Sequence, residues 1–380
     1  MIVVWLSVLT EHQLETFISL QDCIQSQIHF VVGNKILPAR QSQGWNIVKT
    51  DNLSLEVLPI NGWWNVARKI LNHYPDAIHL FGGFWADKRF FPLILFAQSR
   101  SITTSVMMEP YPDCPQSYFG VSPGFLDRLK SVLRPVAYSL AGLLVSRRLI
   151  AAFPIGKKAI SQLQNIGVDN ARIFPFGYFV DRLSINPHKN SYSKKSCLKL
   201  IFVGSLISRK GLITLFKAIK ICHENNVNVS LDVYGPGDPN IFKEIPKNVS
   251  FEGSVNFGEA QRVIKEYDVL ILPSLHDGWG VVVNEALLQG VPVIVSDAAG
   301  ASTLVEKSGA GCVFKAGDEK DLADKIRYLV NSPQLIDQWA SEATNFKEKI
   351  STKIAAQYIY ACLQFATGST KDKPVSPWYT

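Results

Sequence analysis

Two carboxylates eight positions apart, Asp277 and Glu285, flank the run Gly278-Trp279-Gly280-Val281-Val282-Val283-Asn284. A strand-like apolar run, Tyr267 to Ser274, precedes them, and a helix-like run from Glu285 to Gln289 stops at Gly290. A strand that passes through a glycine loop into a helix suits an anionic ligand, because backbone N–H groups without intrahelical partners gather at a helix N-terminus. A carboxylate in the same place cannot neutralise phosphate; it accepts hydrogen bonds from hydroxyls. Phosphate donors beside hydroxyl acceptors suggest a nucleotide-sugar. Upstream, Phe202-Val203-Gly204 leads through Ser205 to Arg209-Lys210-Gly211. Arg209 can fork onto a diphosphate and Lys210 adds a point charge. Read singly, Asp277 is a turn former, Glu285 a helix-start acid and Arg209-Lys210 a solvated helix start. Their combination favours a site. The turn Tyr234-Gly235-Pro236-Gly237 and the run Phe251–Val255 are weaker signals, able to line a nucleobase or simply to reverse the chain.

Positioning such loops requires strands that end beside one another. Apolar, β-rich runs recur at Ile2–Leu9, Ile28–Val32, Ala77–Phe81, Ile102–Met107 and Leu149–Phe153, and again at Leu198–Val203, Val229–Tyr234, Val249–Phe251, Val269–Leu272 and Val291–Val295. Helical segments separate them, which predicts parallel sheets buried on both faces. The two series are divided by a polar stretch, so the expectation is a domain over 1–185, a linker over 186–197 and a second domain over 198–350. Ligands of such sheets bind beyond the carboxyl ends of the strands.

Composition agrees with a globular chain of this size: 380 residues, 47% hydrophobic and 19% charged, with net charge +7. The positive balance favours anionic partners. Without a long basic block or a zinc-finger signature, nucleic acid ranks last among them. The six cysteines are scattered with no C-x-x-C pair, which predicts buried thiols in a reducing compartment rather than a disulfide framework or zinc site, and the seven histidines show no metal-like spacing. The apolar start, Ile2–Leu9, lacks a preceding basic segment and reads as a first strand. The longest uncharged apolar stretch, 135–146, falls short of the about 20 residues a bilayer span needs.

The order Gly204…Arg209-Lys210-Gly211, Tyr234-Gly235-Pro236-Gly237, Asp268…Pro273-Ser274, Asp277-Gly278-Trp279-Gly280…Glu285-Ala286 and Gly290-Val291-Pro292 resembles that of retaining family-4 (group 1) glycosyltransferases of the GT-B fold. The resemblance is specific over about residues 198–330 and looser before them. It implies an α/β fold of two Rossmann-like, doubly wound domains facing a central cleft, with an acceptor-binding first domain and a donor-binding second. A C-terminal helix over 351–366 would cross back to the first domain, and a polar tail over 367–380 would be mobile. The Asp277–Glu285 pair looks like the family's E-x7-E motif, with Asp in the first place. Glu285 would then hold the ribose hydroxyls and Asp277 the donor sugar. Arg209 and Lys210 would neutralise the departing diphosphate, assisted by amides at Gly278 and Gly280. Gly204, Gly235 and Trp279 would complete the donor site. No D-x-D motif is present, and neither a metal nor another cofactor is expected.

The first half departs from the family. Leu9–Glu15 lacks the glycines often found after the first strand, and Glu109 stands where a His is common. Glu109 is therefore a candidate to orient an acceptor hydroxyl or the donor sugar, or else a solvent-facing loop acid. His79 reads as a satisfied core histidine. The aromatics Trp63, Trp64, Phe81, Phe84, Trp85, Phe90 and Phe91 read mainly as core, with some free to stack on acceptor rings. The run Phe125–Arg134, continuing to Arg147-Arg148, reads as an amphipathic helix on its own domain or an interfacial helix on anionic lipid, the former favoured. Pro135 should split it into two helices. The resulting expectation is a cytoplasmic, metal-independent glycosyltransferase, at the inner face of the cell membrane if that contact exists. It would use a nucleotide-sugar donor and a sugar or lipid-linked saccharide acceptor in bacterial surface-polysaccharide assembly. Two rivals stand: a GT-B nucleotide-sugar epimerase, which would act on donor alone, and a non-catalytic nucleotide-sugar-binding subunit, which would bind without turnover.

Overall fold

A computed structural model of the chain describes residues 1–34, 53–111, 124–184, 197–256 and 258–379. Its first half builds a six-stranded parallel sheet from β1 (Ile2–Leu6), β2 (Ile28–Val32), β3 (Ser54–Val57), β4 (Ile78–Phe81), β5 (Thr104–Met108) and β6 (Leu149–Pro154), in the order β3-β2-β1-β4-β5-β6. Helices α1 (Glu11–Ile24), α2 (Trp63–His73), α3 (Phe90–Ser99), α4 (Phe125–Val145) and α5 (Lys157–Asn165) connect and cover it. The second half repeats the plan with β7 (Leu198–Val203), β8 (Val229–Tyr234), β9 (Val249–Gly253), β10 (Val269–Leu272), β11 (Val293–Ser296) and β12 (Gly311–Phe314), ordered β12-β11-β10-β7-β8-β9. Its helices are α6 (Leu212–Glu224), α7 (Ala260–Ile264), α8 (Val281–Leu288), α9 (Ser302–Ser308), α10 (Glu319–Asn331) and α11 (Pro333–Phe346), and α12 (Thr352–Ala366) follows.

The central strands are mostly apolar because helices cover both faces. β1, β2, β5 and β10 are buried throughout. Strand order reverses between β1 and β4 in one sheet and between β7 and β10 in the other. Each reversal opens a crevice beyond the strand ends, where neighbouring crossovers leave in opposite directions. Two edge strands, β3 and β12, were absent from the expected set. Both are four residues long and mostly half-buried, so neither carries the unbroken apolar run of a central strand.

Two expectations need correction. Pro135 does not divide its segment: α4 is one helix of 21 residues with Pro135 inside it. Proline removes one intrahelical N–H bond, and here the flanking turns remain in a single element, anchored through Tyr138, Ala141 and Val145. The polar tail does not hang free either. Trp378 is fully buried, its indole N–H donates to the Lys349 carbonyl at 2.7 Å, and the Tyr379 hydroxyl donates to the Phe176 carbonyl at 2.6 Å. The linker expected over 186–197 lies outside the described residues except for Cys197, as does Cys114. The other five cysteines are unpaired.

One apolar cluster runs through both halves, joining Phe174, Phe176 and Phe179 to Trp279, Val282, Tyr358 and Trp378. α12 lies against α1 and β6. Thr352 Oγ1 donates to Asp181 Oδ1 at 2.7 Å, and Gln261 Nε2 donates to the Asp181 carbonyl at 2.8 Å. The seam is thus both apolar and hydrogen-bonded.

Candidate active site

In the second domain, the loops after β7, β8 and β10 converge on the N-terminus of α8. A cleft of ≈ 200 Å³ there is lined by Gly204, Ser205, Arg209, Lys210, Gly235, Asn256 and Glu285, among others. Gly235 is required by its surroundings. Its φ of +149° is unfavourable for a side chain, and a β-carbon would overlap the Gly204 carbonyl oxygen. These two loops can therefore approach only as bare backbone. α8 begins at Gly280, whose φ is +98° and which supplies no side-chain cap.

Asp277 and Lys210 meet directly: Lys210 Nζ lies 2.5 Å from Asp277 Oδ2, with side chains only 15% and 12% exposed. Burial pushes the Asp277 carboxyl upward, but the charges of Lys210 and Arg209 and the Lys210 hydrogen bond outweigh it and hold the group below its usual range. Arg209 is anchored by its own backbone carbonyl, which accepts from Leu275 N at 2.8 Å, and by Nη1, 3.3 Å from the His276 carbonyl.

Glu285 is the contrasting carboxyl. It is 8% exposed and makes no hydrogen bond among the described residues. Burial, with the charge of Glu15 added, raises it to about 7. Glu15 belongs to α1 of the first domain, and its own pKa is raised, first by burial and opposed by the Asp181 N–H it accepts at 3.2 Å. An acid of the first domain thus adds its charge to an acid of the second. Glu15 is invisible to sequence reasoning, since its neighbours in the chain spell an ordinary helix start.

Glu109 follows β5 and reaches the second domain. A β-carbon at Gly278 would lie 2.5 Å from Glu109 Oε2, so the carboxylate rests against that bare loop. The Tyr178 hydroxyl donates to Glu109 Oε1 at 2.9 Å. Both line a second cleft, of ≈ 350 Å³, with Ser7, Gln13, Gly82, Gly83, Trp85 and Tyr138. Tyr178 was not singled out from sequence; only its place in the segment closing the first domain could have flagged it.

Trp279 stands apart from the other candidates. Its ring is 2% exposed, donates to Asn284 Oδ1 at 2.9 Å, packs edge-on to Phe179 and fills the space left by Gly177. It braces the domain seam rather than lining either cleft. His79 is a core residue as read: it accepts from Trp5 Nε1 at 3.0 Å, its Nε2 is 2.9 Å from the Tyr74 carbonyl, and burial lowers it to about 4. Phe81, Phe84 and Phe90 are core, while Trp85 lines the first-domain cleft. A larger hollow of ≈ 1130 Å³ lies between α6 and residues 241–248 and contains none of the candidate residues.

The chain is similar to known proteins in sequence and in fold. Residues 197–332 match the family model described as glycosyl transferases group 1. The phosphatidyl-myo-inositol mannosyltransferase of Mycobacterium leprae (strain TN) is 25% identical over 235 residues, 58% of this chain and 62% of that protein. The lipopolysaccharide glucosyltransferase WaaG of Escherichia coli (strain K12) is 24% identical over 242 residues, 59% of this chain and 65% of that protein. In both, the match spans less than two thirds of the relative's length. The crystal structure of Anabaena Alr3699/HepE in complex with UDP and glucose superposes with a TM-score of 0.67 at 15% identity, covering 95% of this chain and 99% of that one. That likeness fixes the fold as GT-B, with its two facing domains.

Proposed function

We propose that the protein, whose residues 197–332 match the group 1 glycosyl transferase family on a GT-B fold, transfers a sugar from a nucleotide-sugar donor to an acceptor hydroxyl, with retention of configuration. The observation that carries this reading is the pairing of unlike clefts. One is cationic and backbone-lined, with a hydroxyl-accepting carboxyl, Glu285. The other, in the facing domain, is aromatic and carries Glu109 and Tyr178.

In this reading the diphosphate lies against Gly204, Gly235 and Arg209. The bond from the anomeric carbon to the diphosphate oxygen breaks as the acceptor oxygen bonds to that carbon, and the acceptor proton leaves with the departing phosphate. Charge develops on the leaving group, where Arg209, Lys210 and the amides at the start of α8 stabilise it. Lys210 is already neutralised by Asp277, so the pair acts as one unit. Asp277 aims Lys210 at the phosphate while its free oxygen takes a donor-sugar hydroxyl. Glu285 accepts from the ribose hydroxyls, and Glu109, steadied by Tyr178, orients the acceptor. These roles assign the diphosphate's charge to protein groups, with no metal needed. Two similar proteins are named a phosphatidyl-myo-inositol mannosyltransferase and a lipopolysaccharide glucosyltransferase, and on that support we assign this protein to bacterial surface-polysaccharide assembly on the cytoplasmic side.

A panel of nucleotide-sugars, UDP-sugars first, screened by thermal shift and followed by transfer assays tests the reading. One donor should raise the melting temperature and support transfer. If none binds, the reading fails. Turnover of donor without acceptor would instead support an epimerase, and binding without any turnover a non-catalytic subunit.

A further inference from the structure

Helix α4 carries a second apolar face that the fold leaves uncovered. Leu126, Leu129, Leu133, Val136, Leu140 and Leu143 follow one another at spacings of three and four, and Val132 and Leu144 widen the row. All eight are exposed, from 44% at Leu129 to 73% at Leu143. At 3.6 residues per turn they occupy one sector of roughly 120° and run about 27 Å along the axis. The packed face of the same helix is different: Ala141 and Val145 are buried, and the Tyr138 ring stacks on Tyr111 at 4.1 Å. A soluble helix ordinarily needs one apolar stripe. This one has two, and the second is a contiguous exposed patch of the kind that marks an interaction surface.

We propose that this stripe seats the protein on the surface of an anionic lipid bilayer. The stripe is purely aliphatic, and its surroundings are cationic. Residues 125–148 hold Arg128, Lys130, Arg134, Arg147 and Arg148 against one acid, Asp127. Arg128 and Lys130 are exposed at the two edges of the aliphatic sector, and Arg147 and Arg148 are exposed just beyond its end. Aliphatic side chains entering the acyl boundary with cations at headgroup level form an interfacial helix. The chain's net charge of +7 acts in the same direction. Among the described residues no helix is long and apolar enough to cross a membrane, so the contact is with the surface.

The same helix walls the first-domain cleft. Tyr138, on its packed face, lines that cleft with Trp85 and Glu109. Docking through the stripe therefore holds the cleft about one helix diameter, roughly 10 Å, from the lipid. Resting on the glycosyl-transfer reading, this makes the acceptor a saccharide carried on a membrane lipid. The docking itself does not depend on that reading.

The test is co-sedimentation of the full chain with vesicles of phosphatidylcholine alone or with phosphatidylglycerol added. The wild type should pellet with the anionic vesicles, less so as salt rises. The triple variant Leu133→Glu/Leu140→Glu/Leu143→Glu should bind them at least about ten-fold more weakly. Arg128→Glu/Lys130→Glu should lose the preference for anionic over neutral vesicles. Circular dichroism and donor-induced thermal stabilisation, read on each protein, report folding and donor binding separately from docking. Wild type that ignores anionic vesicles, or a folded triple variant that binds as wild type does, overturns the proposal. So does a wild-type dimer that ignores vesicles and that the triple variant converts to monomer, since a second copy would then cover the stripe. Vesicle binding without donor binding would keep this inference and sink the transfer reading.

Discussion

Glu285 and Asp277 are two carboxyls whose surroundings drive them in opposite directions. Burial, with Glu15 adding its charge, raises Glu285 from 4.5 to about 7. Between those values the folded protein holds a proton that the unfolded chain has released. Stability from this group is therefore full below pH 4.5 and falls as pH rises to about 7, by about 3 kcal/mol at most. Asp277 behaves conversely: held low by Lys210 and Arg209, it stabilises above its ordinary 3.8 and that contribution is lost only as pH falls through its depressed value. In the proposed role Glu285 accepts from ribose hydroxyls as a carboxylate, so donor binding would strip its proton. Donor Kd, measured by calorimetry, should weaken about ten-fold from pH 8 to pH 6, and Glu285→Gln should bind weakly with a flat profile. A wild-type Kd that is constant over this range removes Glu285 from the donor contacts. Asp277→Asn keeps the shape but frees Lys210 of its counter-charge. Its kcat should fall about 100-fold with a smaller change in donor Kd, and an unchanged kcat would remove Asp277 from the reaction. Asp277, Glu285, Arg209 and Lys210 could be read from the chain because each pair sits within one loop-to-helix turn. Glu15 could not, because only the meeting of two domains brings its charge to Glu285, and Tyr178 could not, because only the fold of the first domain brings it to Glu109.

At the scale of elements, the proposed donor cleft depends on how closely the exits of β7 and β8 approach. Gly235 and Gly253 both have positive φ, but a β-carbon at Gly235 would overlap the Gly204 carbonyl oxygen, whereas one at Gly253 meets nothing within 4 Å. Gly253→Ala should therefore carry only the backbone strain, about 1–2 kcal/mol. Gly235→Ala should cost more, by about 1–3 kcal/mol, and should also abolish donor binding because the two loops must separate. Urea titrations and donor thermal shifts on both variants check this; equal losses would mean the close approach is unimportant. The buried strands were legible because burial on both faces leaves an unbroken apolar run, as in Val269–Leu272. Edge strands β3 and β12 were not, since half-burial tolerates Ser54, Glu56 and Gly311. The continuity of α4 through Pro135 was hidden for a related reason. Local propensity reports the lost N–H bond and is silent on Tyr138, Ala141 and Val145, which pack the helix onto its domain.

The whole molecule is two sheets joined by a seam, and the C-terminal residues close that seam. Composition around Lys371-Asp372-Lys373-Pro374 suggests a solvated tail, and nothing local reveals that Trp378 has a cavity to fill. That cavity is tertiary. The Trp378 ring lies 4.2 Å from Phe179 and 5.6 Å from Phe176, both of the first domain, and 5.3 Å from Tyr358 of α12. The next residue adds a polar tie: the Tyr379 hydroxyl accepts from Gly156 N at 2.9 Å while donating to the Phe176 carbonyl. Gly156 in turn sits where a β-carbon would be 2.9 Å from Gly300 Cα of the second domain. The tail therefore braces the first domain at the point where the second leans on it. Trp378→Ala should cost about 3–5 kcal/mol, but its distinctive effect should be on cooperativity. With the seam intact, urea should unfold both domains in one transition. With the indole gone, the domains should melt separately, giving two transitions or a reduced m-value. Tyr379→Phe, which removes only the hydroxyl, should lose about 1–3 kcal/mol and keep a single transition. If Trp378→Ala unfolds at the wild-type midpoint with an unchanged slope, the tail does not dock in solution, and the domains are coupled by their other contacts, those of Trp279, α12 and Asp181 among them.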